Sequence, residues 1–382
     1  MGDYRGTVTD LQQTPLSSRH LAAGAKMADF GGWSMPIEYV SVVAEHNAVR
    51  NSVGIFDVSH MGKVRVHGDG AAAALNAVLA NDLDRISDGQ AQYSLLCNEQ
   101  GGVIDDLIVY RWGADELFII PNAANAQRVV ATLRQSVPST VTIDDMHHTH
   151  GIIAVQGPKS DAVLDDLGLP TDHDYMTMVA STFAGEPVVV CRTGYTGEHG
   201  YELVLPNATL SQAWDSLIER SAQFELQPAG LGARDTLRTE MGYPLHGQDI
   251  TEQITPVQAG LSWAVGWGKP AFAGREALLQ ERSAGPSRRL RGLRSLDRGI
   301  PRAHMQVYAA SDAAMSGSPV GEITSGTFSP TLRQGIGLAL LDPTIDFGAE
   351  VVVDVRGRPS LFEVVKPPFV QPSTREDSTR ES

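Results

Sequence analysis

Gly102-Val103-Ile104-Asp105-Asp106-Leu107-Ile108-Val109-Tyr110 runs two adjacent carboxylates through a stretch that otherwise has the apolar content of a buried strand. An unpaired charge in a core is costly, so a carboxylate placed there needs a partner, a raised pKa or a ligand. Strand alternation sends Asp105 and Asp106 to opposite faces, so at most one lines a given cavity and the two do not form an acid–base dyad on one substrate. Taken alone, the run favours a plainer reading, with both carboxylates at a frayed strand start beside Gly101-Gly102, capping a turn.

Around this run lie 382 residues, 42% apolar and 20% charged, which is ordinary for a soluble enzyme and more than one core organises, so two or three domains are expected. The balance of 30 Lys+Arg against 45 Asp+Glu, a formal charge of −15, opposes attraction to nucleic acid or anionic membranes. Cys97 and Cys191 lack CxxC or zinc spacing, so neither a disulfide framework nor a structural metal is signalled. The start MGDYRGTVTD has no signal layout, Gly6 stands where a myristoylation start wants Ser or Thr, and no apolar run reaches a membrane span. A cytoplasmic location is expected.

Val42, Val43, His46 and Val49 have helical spacing, with Gly54 as the stop, and further helices are expected over 70–80, 122–137 and 211–225. Strands are expected over 62–66, 93–97, 103–110, 117–121, 151–157, 188–193 and 200–205. This interleaving lacks regular βαβ spacing and indicates α+β. After the turn-rich Ser283-Ala284-Gly285-Pro286-Ser287, short strands between Gly and Pro turns indicate a β-barrel, and the polar segment 371–382 is expected to be disordered.

Several chemistries drop out. Gly230-Leu231-Gly232 lacks a third glycine for a dinucleotide loop, Gly268-Lys269 lacks the rest of a phosphate loop, and no GxSxG is present. His147, His148 and His150 are read as structural in preference to a metal site, since no third ligand of comparable spacing accompanies His148 and His150. Ser59-His60 are strand neighbours pointing apart, so they make no nucleophile–base pair. The run Arg288-Arg289, Arg291 and Arg294 suits either a polyanion or, preferably, a charged strand edge.

Read in order, the motifs resemble the aminomethyltransferase family, the T-proteins of the glycine cleavage system. They are Thr14-Pro15-Leu16, Gly24-Ala25-Lys26-Met27, Phe30-Gly31-Gly32-Trp33-Ser34-Met35-Pro36, Gly54-Ile55-Phe56-Asp57-Val58-Ser59-His60-Met61-Gly62, Tyr93-Ser94 and Asn98 through Leu107. Gln156-Gly157-Pro158, Arg192-Thr193-Gly194-Tyr195-Thr196-Gly197-Glu198, Pro228 through Asp235, Gly321-Glu322-Ile323-Thr324-Ser325-Gly326 and Phe328-Ser329-Pro330-Thr331-Leu332 continue them, so the likeness spans nearly the whole chain.

The resemblance implies a three-domain, cloverleaf-like α+β transferase with mixed and antiparallel sheets, a C-terminal β-barrel and tetrahydrofolate in a central channel. Its parts are expected at 1–55 plus 145–250 (a discontinuous folate-binding domain), 56–144 (an inserted α+β domain), 251–287 (a connection), 288–370 (the barrel) and 371–382 (the tail). The implied reaction moves the methylene of an aminomethyl-dihydrolipoyl H-protein to tetrahydrofolate, giving 5,10-methylenetetrahydrofolate, ammonia and dihydrolipoyl protein. No metal or nucleotide is expected.

By the same resemblance Asp106 is the catalytic aspartate, and Asp105 faces elsewhere. Glu202 accepts the paired N–H donors of the pterin, as a carboxylate does well, and Arg234 supplies a folate-contacting cation. Asn122 and Tyr93 are weaker members of the folate set, each equally suited to strand-end hydrogen bonding. Met61 and Trp263 suit either a pocket wall or a core. Two departures stand out. Lys366-Pro367-Pro368-Phe369 is followed by Val370-Gln371-Pro372 where relatives often carry a Tyr or Arg; Arg375 is a substitute left out of the site because it lies in the segment expected to be disordered, and His246 occupies a position where tyrosine is common and is assigned no role.

Two other functions share this fold. One-carbon transferases linked to dimethylglycine or sarcosine oxidation carry a fused flavin domain, for which a likeness starting at Thr14 leaves no room. Folate-binding modules without transferase activity depend on a Cys that Met241 through Asp249 lacks.

Overall fold

A computed structural model describes residues 11–374. Strand alternation organises its centre. In the six-stranded sheet, ordered Met178–Phe183, Glu186–Cys191, Gly200–Pro206, His150–Gln156, Val53–Asp57 and Leu226–Pro228, only the last pair is parallel. Ile55, Ile153, Val155, Leu203 and Leu205 turn one way and form a core with Leu210, Ala213 and Leu217 of the Asn207–Glu219 helix. Phe56, Ala154, Cys191 and Val204 turn the other way.

The five-stranded antiparallel sheet, ordered Ala91–Cys97, Val103–Gly113, Glu116–Pro121, Val64–Gly68 and Val141–Asp145, does the same. Leu107 and Val109 pack toward Leu75, Val129 and Leu133 on the Ala71–Val78 and Ala126–Ser136 helices. Tyr110, Phe118 and Ile120 instead meet Phe56, Ala154 and Val204 of the first sheet. Two sheets therefore face each other across a shared layer, and residues of the Leu231–Met241 helix, Ala233 and Leu237, close it.

The barrel is closed and six-stranded, running Arg289–Ser295, Gln334–Leu341, Gly321–Ser329, Gln306–Ala309, Glu350–Asp354 and Pro359–Val365. The arginine-bearing strand pairs on both sides, with Gly292 opposite Leu338 and Val365, so it is not the strand edge read from the sequence. Other expectations also shift. Gly54 lies inside a strand, the Val42–Asn51 helix ending earlier at Ser52. Asn122 lies just past the strand Glu116–Pro121, with the following α-helix starting only at Ala126. Met178–Phe183, Val141–Asp145 and the strands Lys26–Phe30 and Trp33–Glu38 were not signalled by the sequence; Lys26–Phe30 is mostly exposed, whereas Trp33–Glu38 is mostly buried.

The segment expected to be a disordered tail is anchored near its start: Ser373 N donates to Gly197 O at 2.8 Å, Ser373 Oγ bonds Glu198, and Thr374 is buried. Residues 375–382 of that expectation, with Arg375, lie outside the described residues. Among the described residues no helix is long and apolar enough to cross a membrane.

The Leu231–Met241 helix mounts the barrel through buried charge. Arg238 donates to Asp249 Oδ2 at 2.9 Å, to Asp235 Oδ1 at 2.6 Å and to Ser325 Oγ at 3.0 Å, while Asp249 takes Ser325 Oγ at 2.7 Å and Thr324 Oγ1. Glu240 accepts from Arg50 at 2.7 Å and Thr331 Oγ1 at 3.0 Å, and also from Ser329 Oγ. The Thr-Ser and Ser-Pro-Thr motifs of the barrel are thus its docking seam. Gly242 ends the helix at φ +69°, where a Cβ would come within 2.3 Å of Pro367, so glycine is required on both counts.

Burial works to raise the Glu240 pKa, but hydrogen bonding and charge from His46, the charge of Arg50 and the Ser329 hydroxyl hold it down at about 2. A folded value below the unfolded one, about 4.3, gives stability that is complete above the unfolded value and lost as pH falls through the folded one. Glu240→Gln is expected to cost roughly 3–5 kcal/mol by stranding its partners and to flatten stability against pH between those two values. Denaturant melts across acid pH read both effects, and an unchanged midpoint and slope would exclude this seam as a support.

Candidate functional site

The shared layer between the sheets is where the polar residues gather. On the Val103–Gly113 strand, Asp106 has the parity of Ile108 and Tyr110, which face that layer, whereas Asp105 has the parity of Leu107 and Val109, which face the helices. Neither carboxylate sits at a frayed end: both are paired in register, Asp105 with Leu96 and Asp106 with Leu95, which overturns the turn-capping reading. The strand start is held by backbone, since Val103 N donates to Thr251 O at 2.8 Å and a Cβ on Gly102 would come within 1.8 Å of Glu252 O.

Although alternation separates the two side chains, one amide reaches both. Asn122, just past the end of the neighbouring strand, donates through Nδ2 to Asp105 Oδ1 at 2.9 Å, Asp106 Oδ1 at 2.8 Å and Asp106 O at 2.9 Å, and through its backbone N–H to Asp105 Oδ2 at 3.0 Å. Tyr93 OH donates to Asp106 Oδ2 at 3.0 Å, and Asn125 Nδ2 to Asp105 Oδ1 at 2.7 Å. Asp105 is fully buried and Asp106 half-buried. Burial, then the charge of Asp106, pushes the Asp105 pKa well above the carboxylate range, and burial raises Asp106 against the opposing pull of His246, Tyr93 and Asn122.

Glu202 has the parity of Val204 and so faces the same layer from the other sheet. Its Oε2 accepts from Thr193 Oγ1 at 2.6 Å, and that hydroxyl is 2.8 Å from Tyr110 OH. From Tyr110 back to Asp106 is four residues of strand, roughly 13 Å. Arg234, in the first turn of the Leu231–Met241 helix, lies 4.9 Å from the Tyr195 ring centroid, and Nη1 is buried with no hydrogen-bond partner among the described residues. Burial lowers its pKa against the favourable charges of Glu202 and Tyr195. A buried guanidinium N–H with nothing to bond is a rarity that a polar ligand explains.

The walls separate into two kinds. Met61 is half-buried and joins the layer's apolar cluster. Trp263 is 62% exposed, stacking on Tyr93 at 5.4 Å and 28°, so it is not core. Sequence reasoning missed Thr193 and Tyr195, which lie in a quoted motif but carried no role, and Asn125 and His246, whose contacts run between segments 121 residues apart. His147 packs edge-on against Trp33 at 5.1 Å and bonds Met61 O through Nδ1 at 3.0 Å.

A family model described as the GCVT N-terminal domain matches residues 16–269, and one described as the glycine cleavage T-protein C-terminal barrel domain matches residues 288–371. The chain is 58% identical over 369 residues to an aminomethyltransferase of Frankia alni, covering 96% of this chain and 100% of that protein. It is 55% identical over 368 residues to that of Mycobacterium avium, covering 96% and 99%. A crystal structure of glycine cleavage system aminomethyltransferase T from Bartonella henselae superposes with a TM-score of 0.89 at 34% identity, covering 95% of this chain and 99% of that one.

Beside the layer, Lys63 is fully buried, its Nζ donating to Ser59 O at 2.7 Å. Burial depresses its pKa to about 7 despite the charges of Asp57 and Asp145. Between that value and the unfolded one, about 10.4, the unfolded chain holds a proton that the folded chain has released, so stability rises with pH across this window. Lys63→Met is expected to reduce that slope in melting temperatures recorded from neutral to alkaline pH. A slope identical to that of the parent would show that Lys63 is solvated as an ordinary lysine.

Proposed function

The chain belongs to the aminomethyltransferase family, the T-proteins of the glycine cleavage system, and is a transferase of glycine catabolism with tetrahydrofolate as its one-carbon acceptor; on that premise we propose that Asp106 is its catalytic carboxylate. We assign Glu202, Arg234, Asn122 and Tyr93 to the folate site, with Met61 as a wall and Trp263 as the outer lip. The aminomethyl donor in this reading is a lipoylated H-protein that docks transiently. The observation carrying the proposal is that Asp106 and Glu202 face one layer from opposite sheets, with the unpaired Arg234 N–H beside Glu202.

The residues present suit a folate. A carboxylate matches the adjacent N–H donors of a pterin edge, and Thr193 holds Glu202 by a single oxygen. Arg234 offers a donor to an acceptor on the ligand. With Glu202 fixing one end, the roughly 13 Å between Tyr110 and Asp106 sets the reacting end against the second carboxylate. Tetrahydrofolate supplies the nitrogens that receive the methylene. Asp106, fixed by Tyr93 and Asn122, orients them and offsets positive charge that develops as ammonia departs.

Its raised pKa does not oppose this role. A carboxylate whose charged form burial disfavours gains the more from a positive charge that develops beside it. Trp263 and Tyr93 form the exposed approach to Asp106, a suitable entry for a flexible lipoyl arm.

Asp106→Asn is expected to fold, to bind tetrahydrofolate with near-parental affinity and to lose about 10²–10³-fold in methylene transfer, measured as ammonia released from aminomethyl-loaded H-protein. Parental turnover would remove Asp106 from the chemistry. Glu202→Ala is expected to weaken tetrahydrofolate binding by at least about tenfold, the loss of a charged hydrogen bond, in a fluorescence titration; an unaltered titration curve would contradict its pterin role.

A further inference from the structure

His246 lies between the segment that follows the Leu231–Met241 helix and the strand bearing the two aspartates. Its Nε2 is 3.1 Å from Val103 O, and its Nδ1 is 3.0 Å from Asn125 Nδ2. A carbonyl only accepts, so Nε2 carries the proton and Nδ1 is left as an acceptor for the amide N–H. The same Asn125 nitrogen donates its other hydrogen to Asp105 Oδ1 at 2.7 Å, and Asp105 shares the Asn122 amide with Asp106. We propose that His246 is a positioning residue for the transfer reaction: as a neutral acceptor it orients Asn125, which with Asn122 fixes Asp105 and so the carboxylate of Asp106. This rests on the reading of Asp106 as the catalytic group.

The contacts dictate what protonation does. An imidazolium presents N–H at Nδ1, facing the N–H of Asn125, and two donors cannot share that gap. Rotating the amide relieves the clash but turns its oxygen toward Asp105 as well, which is tolerable only if Asp105 also takes a proton. Asp105 is disposed to do so, because burial and the neighbouring Asp106 charge raise its pKa. In that rotated arrangement the Asn122 amide loses the charged partner that pins it between the two aspartates.

The charges facing His246 are Asp105 and Asp106 on the strand and Glu252 on the following segment, itself paired with Arg128 of the Ala126–Ser136 helix at 2.5 Å. One effect opposes the mechanism, since imidazolium charge favours ionised Asp106. His246 and Asp106 are both half-buried and Glu252 competes for the same charge, so solvent and counter-charge weaken this pull. The hydrogen-bond effect acts through direct contacts that rotate the Asn125 amide and is not screened. The two effects have opposite signs in a pH profile, which makes them separable.

The test uses the full chain with tetrahydrofolate and aminomethyl-loaded H-protein, following kcat and KM from acid to mildly alkaline pH. His246→Gln keeps an acceptor for Asn125 but does not titrate, so it should hold kcat near the parental value at neutral pH and move the acid limb to lower pH. His246→Phe removes the acceptor and should lower kcat about tenfold, the scale of a small misplacement, with KM for tetrahydrofolate little changed. An acid limb that moves to higher pH in His246→Gln, or that stays at the parental pH, overturns the inference, and this arm decides the matter even if His246→Phe fails to fold. Asp106→Asn run in parallel separates the two readings. If it is active, the catalytic assignment itself fails; if it is inactive while both His246 variants keep the parental profile, only the inference about His246 fails.

Discussion

Two carboxylates on consecutive residues of a paired, interior strand repel each other and lose hydration together, and the Asn122 amide is what allows them to coexist. Its two N–H bonds are divided among Asp105 Oδ1, Asp106 Oδ1 and Asp106 O, and its backbone N–H covers Asp105 Oδ2. Neutral donors satisfy lone pairs without cancelling charge, so both pKa values stay raised while both groups stay fixed. An arginine in place of the amide would have offset one of the two charges and drawn both pKa values down. The site therefore trades stability for a carboxylate whose charge responds to what enters the layer.

The Leu231–Met241 helix joins this site to the barrel. Arg234 in its first turn looks toward Glu202 and Tyr195, whereas Arg238 and Glu240, one turn and more along, are consumed by Asp249, Ser325, Ser329 and Thr331. Seating the barrel thus sets the rotation of the helix that aims Arg234. The helix start is fixed from the other side, by Glu45 accepting from Gly230 N at 2.8 Å. Buried charge at the seam contributes orientation, which apolar packing alone would specify less sharply.

Much of this was legible in the residues. The parity of Asp105 and Asp106 placed only one of them in the inter-sheet layer, as found, and the turn-rich segment after Ser283 announced the barrel. The capping of a turn was the wrong preference for the run Gly102–Tyr110 because the compensating partner, Asn122, is brought in by a hairpin and not by local spacing. Asn122 itself was read as helical, since Ala-Ala-Asn-Ala favours helix while the strand's end decides its conformation. His246 and Asn125 carry no local signal at all, for their meaning lies in a contact between distant segments. Trp263 shows the limit of composition: an aromatic near apolar neighbours reads equally as core, and only the fold leaves it 62% exposed.

The proposed reaction turns on Asp106 being a perturbed carboxylate that faces the folate. Carbon-13 carboxyl NMR of the labelled protein, titrated in the absence and then in the presence of tetrahydrofolate, tests this most directly. The expected result is an Asp106 resonance that titrates above the ordinary aspartate range and moves when the folate is added. A resonance that titrates as an exposed aspartate and ignores the folate would contradict it.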